Sequence, residues 1–354
     1  KKATLIPNED IPFQPIQTIY KSQGHQNLWV IDKLNGGKAD SINAGIATCQ
    51  TDLFAVIDAD SILGTESLIR AIRPYVQFPN KIAATGGVIS GINNLVIESG
   101  RVQNLFISNQ FLHNIQALEY YRAFLLGRLF WQKLGATFLI SGAFGTFDRE
   151  SVLDVGAYSE NTVGEDIEIG FKLIRRKYET SEKRDIIFVP DPVCWTEVPS
   201  SLQILSRQRS RWQQGMMETL FTHSRMLLNK KFGIYGKFAI PFLWATEILY
   251  LPIAIIGYLS IPILYIYGYF SADFFIAFIC VEFILGVFTS NIAILARQAE
   301  QNTILDPLDI MIFVCTSIIE NFGYRQLCTF WRFLGAFKFI TGNKSWGEMT
   351  RSGI

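Results

Sequence analysis

The stretch QRSRWQQG at residues 208–215 places two arginines, three glutamines and a tryptophan close together. On a helix, Gln208, Arg211 and Trp212 are neighbours at positions i, i+3 and i+4, so an amide, a planar cation and an aromatic ring project toward one place. This group predicts a contact surface for an anionic ligand with a flat part. The alternative interpretation is a solvated helix face. The rest of the sequence distinguishes between a ligand-binding surface and this alternative.

Two carboxylates follow an apolar run in LFAVIDADSIL, where Asp58 and Asp60 come at the end of a predicted buried strand over 53–60. Side chains two residues apart in a strand point to the same side. Carboxylate oxygens so placed suit a Mg²⁺ or Mn²⁺ ion that also holds substrate phosphates. Ordinary turn and N-cap chemistry is the alternative interpretation of this stretch.

In NGGKADSINAG, at residues 35–45, two glycines precede Lys38 and a predicted helix. Glycines let the backbone approach a ligand closely, and Lys38 offers a point charge for phosphate. Neither GxxxxGK[ST] nor GxGxxG is present. A turn followed by a capped helix explains the stretch equally well.

A second pair of carboxylates, Glu165 and Asp166, opens the predicted helix in TVGEDIEIGFKLIRRK. Acidic residues at a helix start are ordinarily caps that interact with the helix dipole, which accounts for one of them. Two adjacent carboxylates also suit a general base held by its neighbour. Just upstream, Ser141 and Gly142 in ISGAFGTFDRE are small enough for a flat substrate to lie against the backbone.

Short β-branched runs alternate with helical patterns through the first part of the chain. We predict buried strands over residues 28–32, 53–60, 81–89 and 185–193. We predict helices over residues 38–48, 65–75, 104–129 and 166–176. This alternation favours an α/β fold with a sheet flanked by helices and sites at the carboxyl ends of the strands.

The composition changes near residue 235, which divides the chain into a globular part, 1–235, and an apolar part, 236–354. The run 238–270 carries only Glu247 and the run 274–296 carries only Glu282. Both exceed the roughly 20 apolar residues needed to cross a bilayer, so we predict two transmembrane segments. A third run over 310–319 is shorter, and the alternative for all three is the buried helical core of a soluble protein.

Basic residues predict the orientation in the membrane. The link 271–273 carries none, whereas Arg297 and the C-terminal tail carry several. We therefore expect the globular part and the tail to face the cytoplasm. If both lie on the same side, the chain crosses the membrane an even number of times after the globular part. The region 310–340 therefore either crosses twice as a hairpin or lies along the membrane interface.

The composition excludes several classes of protein. The chain has 354 residues, of which 49% are hydrophobic and 18% charged, and its net charge of +1 makes nucleic acid an improbable partner. Five scattered cysteines without a CxxC pair, and only three histidines, argue against a disulfide framework and a zinc site. The chain opens on KKATLIPNED, so we expect that an upstream portion is missing.

Taken in order, Asp58-Ala59-Asp60, Gly164-Glu165-Asp166 and the 208–212 segment, followed by apolar helices, resemble the D-x-D, E-D and Q-x-x-R-W signatures of processive family 2 glycosyltransferases. That group includes cellulose, hyaluronan and poly-N-acetylglucosamine synthases. NGGKADSINAG also resembles their donor-nucleotide segment. The resemblance implies a GT-A type fold for nucleotide-diphospho-sugar transfer, whose N-terminal portion we do not find before residue 28.

The resemblance also implies a role for each matched residue. For the donor, it places Lys38 and Asn43 near the nucleotide, Asp58 and Asp60 at the diphosphate and its metal, and Gln208 and Arg211 on the diphosphate. It makes Asp166 the general base and Glu165 the residue that supports it. It places Trp212, Ser141 and Gly142 at the acceptor. The implied cofactor is Mg²⁺ or Mn²⁺. The implied partners are a nucleotide-sugar donor, expected to be a UDP-sugar, a polysaccharide or lipid-linked acceptor, and the lipid bilayer.

Three alternatives to a polysaccharide-extending, polymer-exporting enzyme stay open. A non-processive enzyme of the same fold would add one sugar to a lipid carrier or glycolipid. A catalytically silent scaffold would keep the fold for partner binding. A transporter would use Glu247, Glu282 and Glu320, because ionisable groups in apolar runs usually face a polar path or a partner.

Overall fold

The computed structural model describes residues 10–91, 95–98, 101–105, 108, 110–181, 183–269, 271–301 and 306–342. The strands are β1 (Ile16–Lys21), β2 (Trp29–Lys33), β3 (Leu53–Ile57), β4 (Ser61–Leu63), β5 (Ile82–Gly91), β6 (Leu95–Glu98), β7 (Arg101–Leu105), β8 (Phe144–Asp148) and β9 (Asp185–Thr196). The α-helices are α1 (Gly37–Thr48), α2 (Ser67–Gln77), α3 (Phe111–Tyr121), α4 (Leu129–Lys133), α5 (Arg149–Asp154), α6 (Glu165–Glu179), α7 (Leu202–Thr222), α8 (Ile240–Leu243), α9 (Tyr250–Ile266), α10 (Ala272–Gln301), α11 (Pro307–Ile319) and α12 (Tyr324–Ile340).

The central sheet has five strands in the order β3-β8-β5-β9-β4. Strands β5 and β9 are parallel, whereas β8 runs antiparallel to β3 and β5, and β4 runs antiparallel to β9. The sheet is therefore mixed. Helices cover both faces: Phe138, Phe147 and Ile169 pack with the core on the α6 side, and Val88 and Leu118 pack with the core on the α3 side. The predicted class, a mixed sheet flanked by helices and followed by long apolar helices, is confirmed.

Strand register brings two predicted site segments to one edge of this sheet. Ile57, the last residue of β3, pairs with Phe144, the first residue of β8. The pairing continues one step further, because the Asp58 amide donates to the Ala143 carbonyl at 3.1 Å. The turn after β3 and the segment before β8 therefore lie side by side.

The predicted strand over 53–60 was too long. Strand β3 ends at Ile57, and the Ser61 amide donates to the Asp58 carbonyl at 3.0 Å, which closes a turn into β4. Asp58 and Asp60 therefore lie in a turn, where the same-side rule for strand side chains does not apply.

Other predicted elements have shifted bounds or a different place. The predicted strand over 28–32 becomes β2, which pairs with the unpredicted β1 in a separate two-stranded sheet. The predicted helix over 104–129 was wrong at its start, since 101–105 is strand and the helix begins at Phe111. Residues 106, 107 and 109 lie outside the described part. The helix continues through a π-helical segment, Arg122–Arg128, into α4.

The apolar part forms a set of long helices. The helical stretches over 235–266 and 272–298 are long and apolar enough to cross a membrane by length and composition. Helix α11 has 13 residues, so at 1.5 Å per residue it is about 20 Å long, shorter than the roughly 30 Å hydrocarbon core of a bilayer. The predicted 310–340 region thus consists of two helices joined by a turn, and the division into parts 1–235 and 236–354 stays a prediction.

Helix α12 packs closely along α7. A Cβ added at Gly335 would lie 2.2 Å from the Ser210 carbonyl oxygen, so the two backbones meet where that glycine lacks a side chain. Beside this contact, Arg332 donates to Gln213 at 2.8 Å and to Glu247 at 2.6 Å. Glu247, which we considered as part of a transport path, is therefore paired with an arginine of a neighbouring helix.

A second ion pair joins the α3 region to the apolar helices. Glu320 is 0% exposed and accepts two hydrogen bonds from Arg122, at 2.6 and 3.0 Å, and one from Arg325 at 2.8 Å. Arg297 is 2% exposed, and its guanidinium lies over the Tyr121 ring at 4.4 Å. Arg297, which we counted among the orienting charges, is thus buried in a contact within the protein, whereas Glu282 is exposed on α10.

We expect Glu320→Ala to destabilise the protein by about 3 kcal/mol, because it removes a fully buried carboxylate and leaves the partly buried Arg122 and Arg325 guanidiniums without their shared partner. The matched control is Glu66→Ala, which removes an exposed i,i+4 ion pair with Arg70 and should change stability by less than about 1 kcal/mol. Melting temperatures in detergent measure both variants. Equal shifts would contradict a structural role for the buried pair.

Candidate active site

A lysine and three acidic side chains meet at the sheet edge described above. Lys38, in the first turn of α1, has its Nζ 2.6 Å from Asp58 Oδ1 and 3.5 Å from Glu165 Oε1. The same Nζ donates to the Gly142 carbonyl at 3.0 Å. Lys38 therefore links α1, the turn after β3, the segment before β8 and the start of α6.

Asp166 is fixed in the same cluster by backbone groups. Its Oδ2 accepts from the Gly142 amide at 2.9 Å, and its Oδ1 accepts from the Ile167 amide at 3.0 Å. A Cβ added at Gly142 would lie 2.9 Å from Lys38 Nζ and 3.1 Å from Asp166 Oδ2. A side chain at this position would therefore displace the ends of Lys38 and Asp166, and Ser141 lines the same small pocket.

The charges of this cluster shift one another's pKa values. Burial alone would lower the pKa of Lys38, but the carboxylates of Asp58 and Glu165 outweigh it and raise the pKa above its ordinary value. Burial and the neighbouring Asp166 charge raise the pKa of Glu165, although Lys38 and Arg211 act in the opposite direction. Lys38 stays charged, and Glu165 holds its proton more tightly than a solvated glutamate.

Helix α7 meets the start of α6 at a contact between two glycines. A Cβ added at Gly215 would lie 2.7 Å from the Gly164 Cα, and one added at Gly164 would lie 2.9 Å from the Gly215 Cα. Gly164 directly precedes Glu165, and Gly215 ends the QRSRWQQG stretch. The contact therefore sets the distance between the acidic pair and the arginine–tryptophan group.

The α7 residues occupy the helical positions that we predicted. Arg211 is near enough for its charge to lower the pKa of Glu165, against the stronger effect of burial. Trp212 is 40% exposed, and Gln208 is half-buried. We did not single out Arg209, whose guanidinium lies 4.4 Å from the centre of the Trp212 ring. Its i,i+3 spacing from Trp212 could have indicated this contact.

The Asn43 side chain is buried and bonded within the protein. It is 0% exposed; its amide nitrogen donates to the Tyr158 carbonyl at 2.9 Å, and its amide oxygen accepts from the Tyr158 amide at 3.0 Å. These bonds hold α1 against the loop that carries Tyr158, which lines the same small pocket as Lys38 and Asp166. A role for Asn43 beside the nucleotide stays a prediction.

The metal that we expected at Asp58 and Asp60 has a partial set of protein ligands. The described residues contain no group of three or more His, Cys, Asp or Glu side chains that could hold a metal ion. In proteins Mg²⁺ is usually bound by one or two carboxylates together with substrate phosphates. Asp58 is already paired with Lys38, so a metal held by Asp58 and Asp60 stays a prediction.

We expect Glu165→Gln to change the pH dependence of stability. With its folded-state pKa raised, Glu165 contributes stability that is present below its unfolded pKa and lost as the pH rises through the folded value. The melting temperature of Glu165→Gln minus that of the unsubstituted protein should therefore be larger at about pH 8 than at about pH 4. The exposed control Glu160→Gln should show no such trend, and a flat difference for Glu165→Gln would contradict the raised pKa.

Comparison with known proteins places the chain among sugar-transferring enzymes. Residues 16–215 match the model for glycosyltransferase like family 2, and residues 161–352 match a chitin synthase model. The chain is 30% identical over 239 residues to a poly-beta-1,6-N-acetyl-D-glucosamine synthase of Staphylococcus aureus (strain COL), and 27% identical to that of Staphylococcus epidermidis. Each match covers 66% of this chain and 52% of the relative, so the chain spans about half the length of these curated relatives.

Among solved structures, the fold is similar to the mannosyltransferase PcManGT from Pyrobaculum calidifontis, which was solved with GDP-Man and Mn²⁺. That match has a TM-score of 0.47 and 14% identity, and covers 89% of this chain and 70% of the other. The family match spans more than half of the chain and contains the Lys38 cluster and the 208–215 segment. The chain belongs to glycosyltransferase like family 2.

Proposed function

We propose that this protein is a membrane-bound, inverting glycosyltransferase that extends a polysaccharide from a nucleotide-diphosphate sugar. The observation that carries the proposal is the close approach of Gly164, which precedes Glu165 and Asp166, to Gly215 of the helix that carries Arg211 and Trp212, with the Arg211 charge near enough to act on Glu165. A base, an arginine fork and an aromatic platform are the groups that transfer between two sugars needs.

The proposed step uses Asp166 as general base. An acceptor hydroxyl attacks C1 of the donor sugar from the side opposite the diphosphate, and its proton passes to Asp166. The bond between C1 and the phosphate oxygen breaks, and its electron pair leaves with the nucleoside diphosphate. The Gly142 amide that donates to Asp166 Oδ2 orients the carboxylate for this role.

An arginine, a glutamine and a bound metal ion would stabilise the leaving group. Arg211 and Gln208 would bind the diphosphate, where negative charge develops as the C1 bond breaks. Lys38 would remain paired with Asp58 and Glu165, because its Nζ already contacts both carboxylates. Asp58 and Asp60 would hold Mg²⁺ or Mn²⁺ beside the diphosphate, and the bound ion would supply further neutralisation of that charge.

The nature of the acceptor follows from Trp212. Its indole is 40% exposed beside Arg211, so a sugar ring can stack on it while the donor diphosphate lies at the arginine. The relatives named poly-beta-1,6-N-acetyl-D-glucosamine synthase support a polymer product and make UDP-N-acetylglucosamine the first donor to test.

We further propose that the protein is a multi-pass membrane protein with its catalytic part in the cytoplasm. The two long apolar helices over 235–266 and 272–298 support crossing of the bilayer. The contact of α12 with α7 supports an interfacial position for α12, because Arg332 is bonded both to Gln213 of the catalytic part and to Glu247 of the first apolar helical stretch. Export of the polymer would use the space between these helices.

The test is incorporation of radiolabelled sugar by the full-length protein in membranes, with a panel of nucleotide sugars and Mg²⁺ or Mn²⁺. We expect a long polymer from one donor and loss of incorporation with a chelator. A product bearing one added sugar on lipid would contradict polymer extension and support the non-processive alternative. Failure to bind or use any nucleotide sugar would contradict the enzyme proposal.

Asp166→Asn should lower transfer by about a hundredfold or more while donor binding is kept, because the amide cannot take the acceptor proton. Asp154→Asn is the matched control, since Asp154 pairs with Arg176 away from the cluster, and it should transfer at the normal rate. Initial rates and binding of the labelled donor measure the two effects separately. Substantial turnover by Asp166→Asn would remove Asp166 from the role of base.

A further inference from the structure

The two arginines of the QRSRWQQG stretch have different surroundings. Arg211 is near enough to Glu165 for its charge to act on that carboxyl. Arg209 has its guanidinium carbon 4.4 Å from the centre of the Trp212 ring. This distance is within the range of a cation–π contact.

Arg209 is also held by an ion pair with a second helix. Its Nη2 donates to Glu119 Oε2 at 2.6 Å, and the Tyr324 hydroxyl donates to the same oxygen at 2.9 Å. Glu119 belongs to α3 and Tyr324 begins α12, so three helices meet at one carboxylate. The side chains of Arg209 and Glu119 are only 11% and 22% exposed.

This environment keeps Arg209 charged and in one place. Burial alone would lower the pKa of Arg209, but the Glu119 carboxylate outweighs burial and raises it. The Arg209 Nε is buried and has no hydrogen-bond partner among the described residues. The cation therefore has two recorded partners, the Glu119 carboxylate and the Trp212 ring.

We propose that Arg209, held by Glu119 and Tyr324, is a positioning residue that fixes the Trp212 ring as the platform for the acceptor sugar. The inference rests on the proposed function. A half-exposed tryptophan that turns freely loses side-chain entropy when a sugar stacks on it, so holding the ring beforehand strengthens acceptor binding. Because Arg209 covers one face of the indole, the other face is left for the sugar.

The contact between Arg209 and Trp212 predicts that loss of Arg209 affects binding of the donor and binding of the acceptor differently. Arg209 is engaged by Glu119 and Trp212, whereas Arg211 is near the acidic pair. Loss of Arg209 should therefore weaken acceptor binding and leave donor binding nearly unchanged. A residue that only maintained the fold would affect both substrates alike.

The experiment compares Arg209→Met and Glu119→Gln with the control Arg207→Met, which changes an exposed arginine of the same helix. Kinetics with UDP-N-acetylglucosamine and β-1,6-linked N-acetylglucosamine oligosaccharides give a KM for each substrate. We expect the acceptor KM to rise by about fivefold to tenfold in the first two variants, the donor KM to change less than about twofold, and the product to become shorter. Arg209→Lys keeps the charge and should lie between Arg209→Met and the unsubstituted protein.

A second measurement needs no catalysis, so it separates failure of this inference from failure of the proposed function. The chain has seven tryptophans, so each variant is also made with Trp212→Phe, and the difference between the two emission signals reports Trp212. We expect acrylamide to quench that difference signal more strongly in Arg209→Met and Glu119→Gln than in Arg207→Met. Two results would overturn the positioning role. The first is quenching in folded Arg209→Met or Arg209→Lys that equals the quenching in Arg207→Met. The second is an equal rise in the donor KM and the acceptor KM together with a lower melting temperature.

Discussion

The contact between Gly164 and Gly215 is the constraint on which the rest of the site depends. Two helices can bring their backbones this close only where neither carries a side chain, and a Cβ on either glycine would lie within 3 Å of the other's Cα. Glu165 and Asp166 follow the first glycine directly, and Arg211 and Trp212 lie one turn before the second. The acidic pair and the arginine–tryptophan group are therefore held on a common rigid support, as a site for two substrates requires.

Electrostatic balance is a second condition on the same site. Asp58, Glu165 and Asp166 would repel one another at the sheet edge if no cation lay among them. Lys38 supplies that cation from the first turn of α1, within 2.6 Å of Asp58 and 3.5 Å of Glu165. Its position shows why a cluster of carboxylates can exist at this edge of the sheet.

Much of the fold could be predicted from the sequence because its patterns are local. The runs that became β3, β5 and β9 and the helix start at Glu165 follow directly from periodicity and capping. Contacts between distant segments could not be predicted in this way. The burial of Asn43 against Tyr158 and the contact of Arg209 with Glu119 join residues that are 115 and 90 positions apart, where no local pattern indicates them.

The proposal that the α6 and α7 groups act as one site is tested most directly by the rate of sugar transfer in Gly215→Ala. The added methyl must push α7 away from Gly164, and a displacement of about 1 Å should lower the rate by at least about tenfold. Gly45→Ala is the control, because a Cβ at Gly45 meets no atom within 4 Å, and it should keep the rate. An unchanged rate in Gly215→Ala would contradict the dependence of transfer on this contact.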